Sequence, residues 1–316
     1  MNPTVTADLP RRLPRARLEK LPASQRCVGL MNGEASYPNK GCAADITYGY
    51  MAFVMADGTV RMSGTNHNHE FAMHGNAYNP QHLRYLVWDN RTNADDSVTG
   101  RPRYVVGSFG SVAMLTDTGD VVTWGHNGHG QQGRGHTTGN GYARSIDATD
   151  IGRTSGIPGR DVVKLDIPQG YPTSNGLMYA LCRDGGLWAW GYGGYGSLAQ
   201  GDTNHSYSPA RCRKTGDVVL EDVIDFWPGH GNNPACFALT RDGRLWAVGD
   251  NHWGKLGVDD GTTTISTPTR VELPDGVTAR MISTGGAWSN GHYHSTVMLG
   301  SDGRVYSCGK YGQHGA

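Results

Sequence analysis

The sequence has no excess of charge of either sign and no long apolar run. Its 28 Lys and Arg residues balance 28 Asp and Glu residues, so no overall field favours binding to nucleic acid or to a membrane surface. No apolar stretch approaches the length of a membrane span, and the first residues, MNPTVTADLPRR, lack the apolar segment of a signal peptide. We therefore expect no membrane insertion and no nucleic acid partner. The expected location is the cytoplasm or a macromolecular assembly such as a virion.

Motifs for catalysis and for metal binding are also missing. The six cysteines form no Cys-x-x-Cys pair, and neither G-x-S-x-G nor H-E-x-x-H occurs. The thirteen histidines include close pairs such as His67 and His69, but no carboxylate recurs beside these pairs. We therefore expect a protein that is not an enzyme and that holds no metal or cofactor. Whether Cys27 and Cys42 form a disulfide stays open.

Glycine, in contrast, is abundant, and it recurs in a repeated pattern. There are 47 glycines in 316 residues, which is typical of many short strands joined by tight turns. Residues 180–202 contain an apolar run, Asp184-Gly185, a second apolar run ending in Trp190, and a Gly-rich segment. Similar copies occupy residues 51–75, 112–135, 237–257 and 296–315, with their turn glycines at 58, 119, 185, 243 and 303. Such even spacing indicates an array of one supersecondary unit.

Each copy predicts a β-hairpin, and the Asp-Gly pairs favour type I′ turns, in which both central residues have positive φ. A short apolar strand is expected before each hairpin, at residues 46–49, 105–107, 163–167, 223–227 and 281–285. The connections 76–103 and 136–159 are polar and are expected to be surface loops. The fold is therefore predicted to be all-β, with an N-terminal arm at residues 1–45 and a single repeat domain at residues 46–316.

The two ends of the chain complement each other. Residues 10–13, PRRL, resemble the segments PARC and PTRV that follow the Gly-rich turns at residues 209–212 and 268–271, whereas the last copy stops before such a segment. We expect residues 10–18 to form a strand that closes the array onto its last repeat and removes an exposed edge. The alternative is that Arg11, Arg12, Arg15, Arg17 and Lys20 form a solvated basic arm.

The repeat resembles that of the regulator of chromosome condensation family, whose unit reads roughly G-x-x-H-x-x-x-L-x-x-D-G-x-x-x-x-W-G-x-N-x-x-G-Q-L-G-x-G and then P-x-x-V. The resemblance extends over residues 46–315 and implies a β-propeller of four-stranded blades around a central channel. Ser63 in the first copy and Cys308 in the last copy stand where other copies carry Trp. Family members usually have seven blades and only five copies are visible, so the chain forms either a smaller ring or part of something larger.

Aromatic residues fall into a repeating set and a set that does not repeat. Trp124, Trp188, Trp190 and Trp246 recur inside strands and are expected to pack in the core. The glycines between Gly191 and Gly196 satisfy G-x-G-x-x-G, but no helical pattern follows them, so nucleotide binding is not expected. Mixed polar and aromatic loops are typical of partner-binding surfaces. The candidates on such loops are Trp288, Asn290, His292, Tyr293, His294, His230, Asn232, Tyr171 and Phe109. Tyr192, Tyr195 and Trp253 form a second candidate surface on the turns that follow the hairpins.

These features predict a non-enzymatic protein-binding or structural module, a rigid propeller that presents loops to a protein partner or to neighbouring subunits. One setting that fits is a larger assembly such as a phage tail or virion. The family resemblance implies a second hypothesis, guanine-nucleotide exchange on a small GTPase, although the inserted wedge used for that activity is not identifiable. A third hypothesis is a secreted inhibitor or glycan-binding adhesin.

Overall fold

The computed structural model describes the larger part of the chain. The described residues are 27–30, 50–65, 78–79, 85–89, 98, 100–108, 111–137, 152–154, 157, 161–168, 176–229, 233–258, 261–285 and 295–310. Within them the chain forms five antiparallel sheets that follow one another in sequence. No helix among these residues is long and apolar enough to cross a membrane. The residues 10–18 that were expected to close the array lie outside the described part.

The first two sheets contain nine strands. The first sheet has the order β1-β2-β3-β4, with β5 also paired to β3. Its strands are β1 (Cys27–Leu30), β2 (Tyr50–Met55), β3 (Thr59–Thr65), β4 (Tyr78–Asn79) and β5 (Tyr85–Asp89). The second sheet has the order β6-β7-β8-β9. Its strands are β6 (Pro102–Gly107), β7 (Ser111–Thr116), β8 (Val121–Gly125) and β9 (Gly152–Arg153).

The other three sheets repeat the same up-and-down order. The third sheet consists of β10 (Val162–Asp166), β11 (Leu177–Cys182), β12 (Leu187–Gly191) and β13 (Ser206–Arg211). The fourth consists of β14 (Val223–Pro228), β15 (Ala235–Thr240), β16 (Leu245–Asp250) and β17 (Thr264–Val271). The fifth consists of β18 (Ala279–Gly285), β19 (Ser295–Gly300) and β20 (Val305–Gly309).

Two details differ from the sequence predictions. The first sheet begins with β1, which pairs with β2, whereas the predicted first strand at residues 46–49 lies outside the described part. The connections 76–103 and 136–159 were predicted to be loops, but they contain β4, β5 and β9, which pair with the hairpins of the first two sheets. β4 and β9 are only two residues long and show no periodic pattern, whereas the apolar run of β5, YLVWD, is a strand signal that the prediction overlooked.

All five hairpins occur where the turn glycines predicted them, but the predicted turn type was wrong. The turn glycines have φ between 80° and 86°, and none of the residues just before them has positive φ. In the third sheet, Gly185 donates its N–H to the carbonyl of Cys182, and Cys182 donates to that of Gly186. This is a three-residue connection with one left-handed glycine, in which the strands twist as they do across type I′ turns. Asp184 accepts the Gly186 N–H at 2.8 Å, so it stabilises the turn.

Neighbouring sheets pack face to face through apolar side chains. Trp124 and Trp190 are almost fully buried, as predicted, whereas Trp188 and Trp246 are half-buried. The indole Nε1 of Trp190 donates to the carbonyl of Gln131 in the preceding sheet's turn at 2.9 Å. A Cβ on Gly133 would lie 2.7 Å from that Nε1, so this glycine is required by the close approach. The turn after the second hairpin, which contains Gln131 and Gly133, is thus part of the contact with the third sheet.

Candidate partner-binding surface

The twelve predicted partner-binding residues divide between described and undescribed parts of the chain. Tyr192, Tyr195 and Trp253 are described. Outside the described residues lie Trp288, Asn290, His292, Tyr293, His294, His230, Asn232, Tyr171 and Phe109. The candidate site is therefore built on the turns that join the third and fourth strands of a sheet.

These turns share two backbone features in the second, third and fourth sheets, although only the third and fourth place a non-glycine residue with positive φ at the tip. Each begins with a glycine of positive φ, Gly125, Gly191 or Gly249. In each, a glycine five positions later donates its N–H back across the turn, each time at 3.0 Å: Gly130 to Asn127, Gly196 to Gly193 and Gly254 to Asn251. The residue before that second glycine is displayed at the tip of the turn. It is His129 in the second sheet, Tyr195 in the third and Trp253 in the fourth.

Buried asparagine side chains fix two of the three turns. Asn251 accepts the Leu256 N–H at 3.1 Å and donates to the carbonyls of Val258 and Thr262. Asn127, at the equivalent position, accepts the Gln132 N–H and donates to the carbonyl of His136, both at 3.0 Å. Because the amide satisfies backbone groups on both sides of the turn, the tip residue is held in a defined position.

Tyr195 and Trp253 adopt a backbone conformation that bulky residues rarely take. Their φ values are 60° and 63°, in the left-handed region where a side chain larger than hydrogen is disfavoured. Backbone strain of this kind costs of order 1–3 kcal/mol and is retained only where the surrounding structure imposes it. Here, it turns the aromatic side chains outward from the sheets, and Trp253 is 53% exposed.

Each tip residue contacts the turn of the next sheet. The His129 ring lies 5.2 Å from the Tyr192 ring and 4.7 Å from that of His205. The Tyr195 ring lies 5.9 Å from that of His252. We call the three tip residues and the side chains that they contact the turn surface. It comprises His129, Tyr192, Tyr195, His205, His252, Trp253 and Lys310.

The turn surface continues onto the fifth sheet through a cation–π contact. The Lys310 Nζ lies 4.4 Å from the centre of the Trp253 ring. Glycines allow the turns to lie directly on the neighbouring sheets, since a Cβ on Gly130 would be 2.6 Å from the Tyr207 Cα and one on Gly196 would be 2.3 Å from the Ser266 Cα. A row of aromatic and basic side chains therefore crosses four successive sheets.

A buried polar pair lies beneath the surface in two of the turns. In the fourth sheet, the Lys255 Nζ lies 2.5 Å from the Asp250 Oδ2, and it also donates to the carbonyl of Asn233 at 2.9 Å. Both side chains are almost fully buried, and His252 binds the other carboxylate oxygen of Asp250. Burial lowers the pKa of Lys255, while the Asp250 carboxylate acts in the opposite direction.

The equivalent pair in the second sheet is uncharged. Here His126 stands at the position of Asp250 and Gln131 at that of Lys255, and the His126 Nδ1 lies 2.8 Å from the Gln131 Nε2. Burial lowers the pKa of His126 to about 4, with a smaller contribution from His129. The same two turn positions are thus joined by an ion pair in one sheet and by a neutral hydrogen bond in another.

The His126 environment predicts a loss of stability in acid. Because its pKa in the folded chain, about 4, lies below the ordinary value near 6.5 of an unfolded chain, the unfolded state binds more protons between these values. Stability present above pH 6.5 is therefore lost as the pH falls toward 4, by about 2 kcal/mol between pH 7 and pH 5. Urea unfolding of the parent and of His126→Gln at both pH values measures this. An equal loss in the two proteins would contradict it.

The turn surface lies at the same end of the sheets as the connections between first and second strands. Tyr192 donates its N–H to the carbonyl of Gly176, just before β11, and Asp250 donates to that of Pro234, just before β15, both at 2.9 Å. In the fifth sheet, Gly285 pairs with Ser295, which pairs with Gly309. The described strand ends that flank the predicted loops therefore lie at the same end of the sheets as the turn surface, whereas the loop candidates themselves lie outside the described residues.

The described residues contain no cluster of metal ligands, and their free cysteines are not activated. No group of three His, Cys, Asp or Glu side chains in this part of the chain is arranged to hold a metal ion. Burial raises the pKa of Cys182 and Cys308 to about 11 and that of Cys212 to about 12, so these free thiols are protonated at neutral pH. The G-x-G-x-x-G segment forms a single 3-10 turn, Gly194–Gly196, and continues into no α-helix. The aromatic, imidazole and ammonium groups of the turn surface are suited to noncovalent contact with another macromolecule.

Sequence reasoning missed four members of the turn surface. His129 could have been found, because it occupies the same repeat position as Tyr195 and Trp253. His205, His252 and Lys310 carry no such signal, since they join the surface only through contacts with a residue of a neighbouring turn.

Five successive antiparallel sheets that pack face to face, with the turns of the second, third and fourth sheets resting on the next sheet, define a protein of the β-propeller class. The repeats resemble those of the regulator of chromosome condensation family, whose repeat model, described as the regulator of chromosome condensation (RCC1) repeat, matches residues 242–289. The family likeness expected from the sequence is therefore confirmed at the level of the repeat.

Known proteins share the repeat and the fold over part of their length. A Caenorhabditis elegans X-linked retinitis pigmentosa GTPase regulator homolog is 26% identical over 67% of this chain and 13% of its own. Human WBSCR16 superposes with a TM-score of 0.65 at 23% identity, over 83% of this chain and 61% of that one. Yeast RCC1 (Prp20), solved bound to Kap60, superposes with a TM-score of 0.56 at 20% identity, over 83% of this chain and 54% of that one. Four curated relatives match more than half of this chain, and the chain spans only 4% to 40% of their own length.

Proposed function

We propose that this propeller is a non-enzymatic protein-binding module that holds its partner on the turn surface. The observation that carries the proposal is Trp253, a large aromatic side chain that is 53% exposed on a turn with strained backbone geometry. Tryptophan is among the residues that most often dominate binding energy at protein interfaces. A strained, outward-facing tryptophan is better explained by recognition than by folding, to which its exposed side chain contributes little.

The rigidity of the turns supports the same proposal. The Asn251 side chain and the buried pair of Lys255 and Asp250 hold the turn from within, so the Trp253 side chain needs little ordering when a partner binds. Binding by a preformed surface avoids the entropy cost of fixing loops and side chains. The neighbouring Lys310, His252 and Tyr195 surround the tryptophan with groups that can form hydrogen bonds at the rim of an interface.

The proposal includes a setting, in the cytoplasm or within a larger assembly such as a phage tail or virion. In an assembly the partner is a fixed subunit, and the complex should be stoichiometric and long-lived. The name of the nematode relative suggests a second kind of partner, a small GTPase. A GTPase partner would instead release bound nucleotide faster when the propeller is added, so the two kinds can be distinguished.

Capture from the native source tests the proposal. The baits are the parent chain, a variant with Tyr195→Ala and Trp253→Ala, and a Val218→Ala control, and bound proteins are identified by mass spectrometry. Val218 is 60% exposed but lies in the β13–β14 connection, close to the hairpin end, because Val223 donates its N–H to Gly185. We expect a partner that the parent and the control retain and the double variant loses.

The captured partner then allows a quantitative measurement. Removing an anchor tryptophan typically weakens an interface by 2 kcal/mol or more, so Trp253→Ala should raise the Kd at least about 30-fold. If the partner is a GTPase, release of fluorescent GDP with and without the parent chain decides whether exchange is accelerated. The proposal fails if all three baits retain the same proteins with equal affinity.

A further inference from the structure

The turns of the second and third sheets meet through aromatic rings, and two of these rings are imidazoles from different sheets. The centre of the His129 ring lies 4.7 Å from that of His205 and 5.2 Å from that of Tyr192. The Tyr192 and His205 ring centres are 5.0 Å apart. A further imidazole, that of His126, lies 6.3 Å from the His129 ring. Three imidazoles are therefore gathered in one contact between two turns.

Hydrogen bonds require two of these imidazoles to be neutral. The Gly193 N–H donates to the His205 Nδ1 at 3.2 Å, and a backbone N–H can only donate, so this nitrogen carries no proton. The Gln131 Oε1 accepts the His129 N–H at 2.7 Å. The amide Nε2 of Gln131 is therefore the donor to the His126 Nδ1, 2.8 Å away. An imidazole that takes up a second proton loses its acceptor nitrogen and, with it, this hydrogen bond.

The surroundings of the imidazoles also oppose a positive charge. Partial burial lowers the pKa of His205. Burial and, to a smaller extent, His129 lower the pKa of His126 to about 4. Burial raises the pKa of Tyr192, so the phenol between the imidazoles is neutral as well. Protonation of both His129 and His205 would place two positive charges on rings whose centres are 4.7 Å apart.

The charged side chains of these two turns bind other groups. Asp202 accepts two hydrogen bonds from Asn204, at 3.0 and 2.9 Å. Arg134 donates to the carbonyl of Thr123. Among the described residues, therefore, no carboxylate contributes to the pKa shifts of the two imidazoles, which are caused by burial and by a neighbouring imidazole.

We propose that the contact between the second and third turns is a pH-sensitive joint, which opens when His129 and His205 take up protons in mild acid. When the turns separate, the His205 ring is fully hydrated and its pKa returns toward the ordinary value near 6.5, so the open form binds more protons. The closed form is thus favoured above pH 6.5 and becomes less stable as the pH falls below it. The turn surface is continuous at neutral pH and interrupted in acid.

One hydrogen bond between the two sheets reports on this joint. Gly135, at the end of the second turn, donates its N–H to the carbonyl of Tyr207 in β13 at 2.9 Å. Gly201, at the equivalent position of the third turn, donates to the carbonyl of Ser266 in β17 at 3.0 Å. The tip of that third turn, Tyr195, meets a single imidazole. The two amides therefore compare the contact between two imidazoles with a contact that contains one.

Amide hydrogen exchange of the whole chain, resolved by NMR at pH 7 and pH 5.5, tests the proposal. After correction for the intrinsic pH dependence of exchange, the protection factor of Gly135 should fall by about threefold or more. The upper limit is about 30-fold for each proton gained on opening. The protection factor of Gly201 should change less.

Two variants identify the groups that respond. The double variant with His129→Asn and His205→Asn should lose the fall at Gly135, because an asparagine Oδ1 can accept the Gly193 N–H as the imidazole Nδ1 does but takes up no proton. His136→Asn is the matched control, since His136 is an exposed histidine just beyond the second turn. This variant should respond to pH as the parent does.

Four results would overturn the proposal. The first is an unchanged protection factor at Gly135, and the second is an equal fall at Gly201, which would indicate a loss of global stability. The third is a fall that persists in the double variant, which would assign it to His126. The fourth needs no variant: an NMR titration of the His205 Cε1–H in the parent that gives a pKa at or above 6.5. None of these measurements needs a partner, so they are independent of the proposed function.

Discussion

Replacing Lys255 with methionine is expected to lower the free energy of unfolding by about 3–5 kcal/mol. The substitution leaves the Asp250 carboxylate, which is fully buried, without the ammonium group that lies 2.5 Å away. It also removes the hydrogen bond to the carbonyl of Asn233. His252 still contacts the other carboxylate oxygen, but the loss of a buried ammonium partner is among the few single changes that destabilise a protein this much. For a domain of this size the Tm should fall by about 10 °C.

Urea unfolding of three further proteins tests the cause. Asp250→Asn with Lys255→Met should recover most of the loss, because no buried charge remains. Arg213→Met breaks an ion pair of similar length, 2.9 Å to Asp217, but this pair is exposed to solvent, so its loss should cost at most about 1 kcal/mol. Asp250→Asn alone should cost less than Lys255→Met, since burial already lowers the pKa of Lys255 and the side chain can lose its proton. A Lys255→Met variant as stable as Arg213→Met would show that the pair is solvated.

The second large effect is expected at Trp190. Replacing it with alanine should cost about 3–5 kcal/mol, because the indole is fully buried between two sheets and the space cannot be refilled. The hydrogen bond to the carbonyl of Gln131 is lost as well. Trp188 is the matched control, since it lies two positions earlier in the same strand but is only half-buried. Its replacement by alanine should cost roughly 1 kcal/mol.

Urea unfolding at neutral pH compares the two tryptophan variants. The comparison also tests the assignment of the post-hairpin turn to the inter-sheet contact, because Trp190 donates a hydrogen bond to the turn. Trp190→Phe should fall between the parent and Trp190→Ala, since it keeps a ring but loses the donor. Equal destabilisation by Trp188→Ala and Trp190→Ala would mean that the contact with the turn contributes nothing measurable.

The chain itself contains three natural replacements at the Trp190 position, Ser63, Val248 and Cys308. In the fourth sheet the residue is Val248, and the preceding turn has Ala199 where Gly133 faces Trp190, with a small apolar cavity of about 10 Å³ beside them. In the fifth sheet it is Cys308, whose thiol lies 3.2 Å from the carbonyl of Lys255 and faces Gly257. The smaller Val248 is thus matched by the larger turn residue Ala199. Cys308 instead keeps a hydrogen bond to the turn carbonyl.

Much of the fold could be predicted from the sequence because its determinants are local. A glycine in the left-handed conformation ends one strand and begins the next, so the turn glycines alone locate all five hairpins. The equivalence of Cys308 with Trp190 also followed from the spacing, and both side chains reach the carbonyl of the same turn position. The turn type was wrong, because an Asp-Gly pair is compatible both with a two-residue turn and with a three-residue one.

The candidate site was only partly predictable. Tyr192, Tyr195 and Trp253 were identified by their place in the repeat, but the contacts of His205 with His129 and of Lys310 with Trp253 join residues that are far apart in sequence. Such pairs depend on how far each turn reaches over the next sheet. That reach is determined by the small glycines at positions 130 and 196 and by the strands they touch.

The sequence by itself determined the repeat, the hairpins, the all-β class and the residues that fill the core, because these depend on local backbone preferences and on apolar periodicity. Only the tertiary structure decided which turn residues share a surface, which polar pairs are buried beneath it, and that Val297 and Val305 are exposed where their equivalents are buried. The physical reason is that a side chain on a sheet face becomes buried only when a second sheet packs against that face. Val305 and Leu245 occupy the same position in their repeats, and they differ only in whether another sheet packs on them.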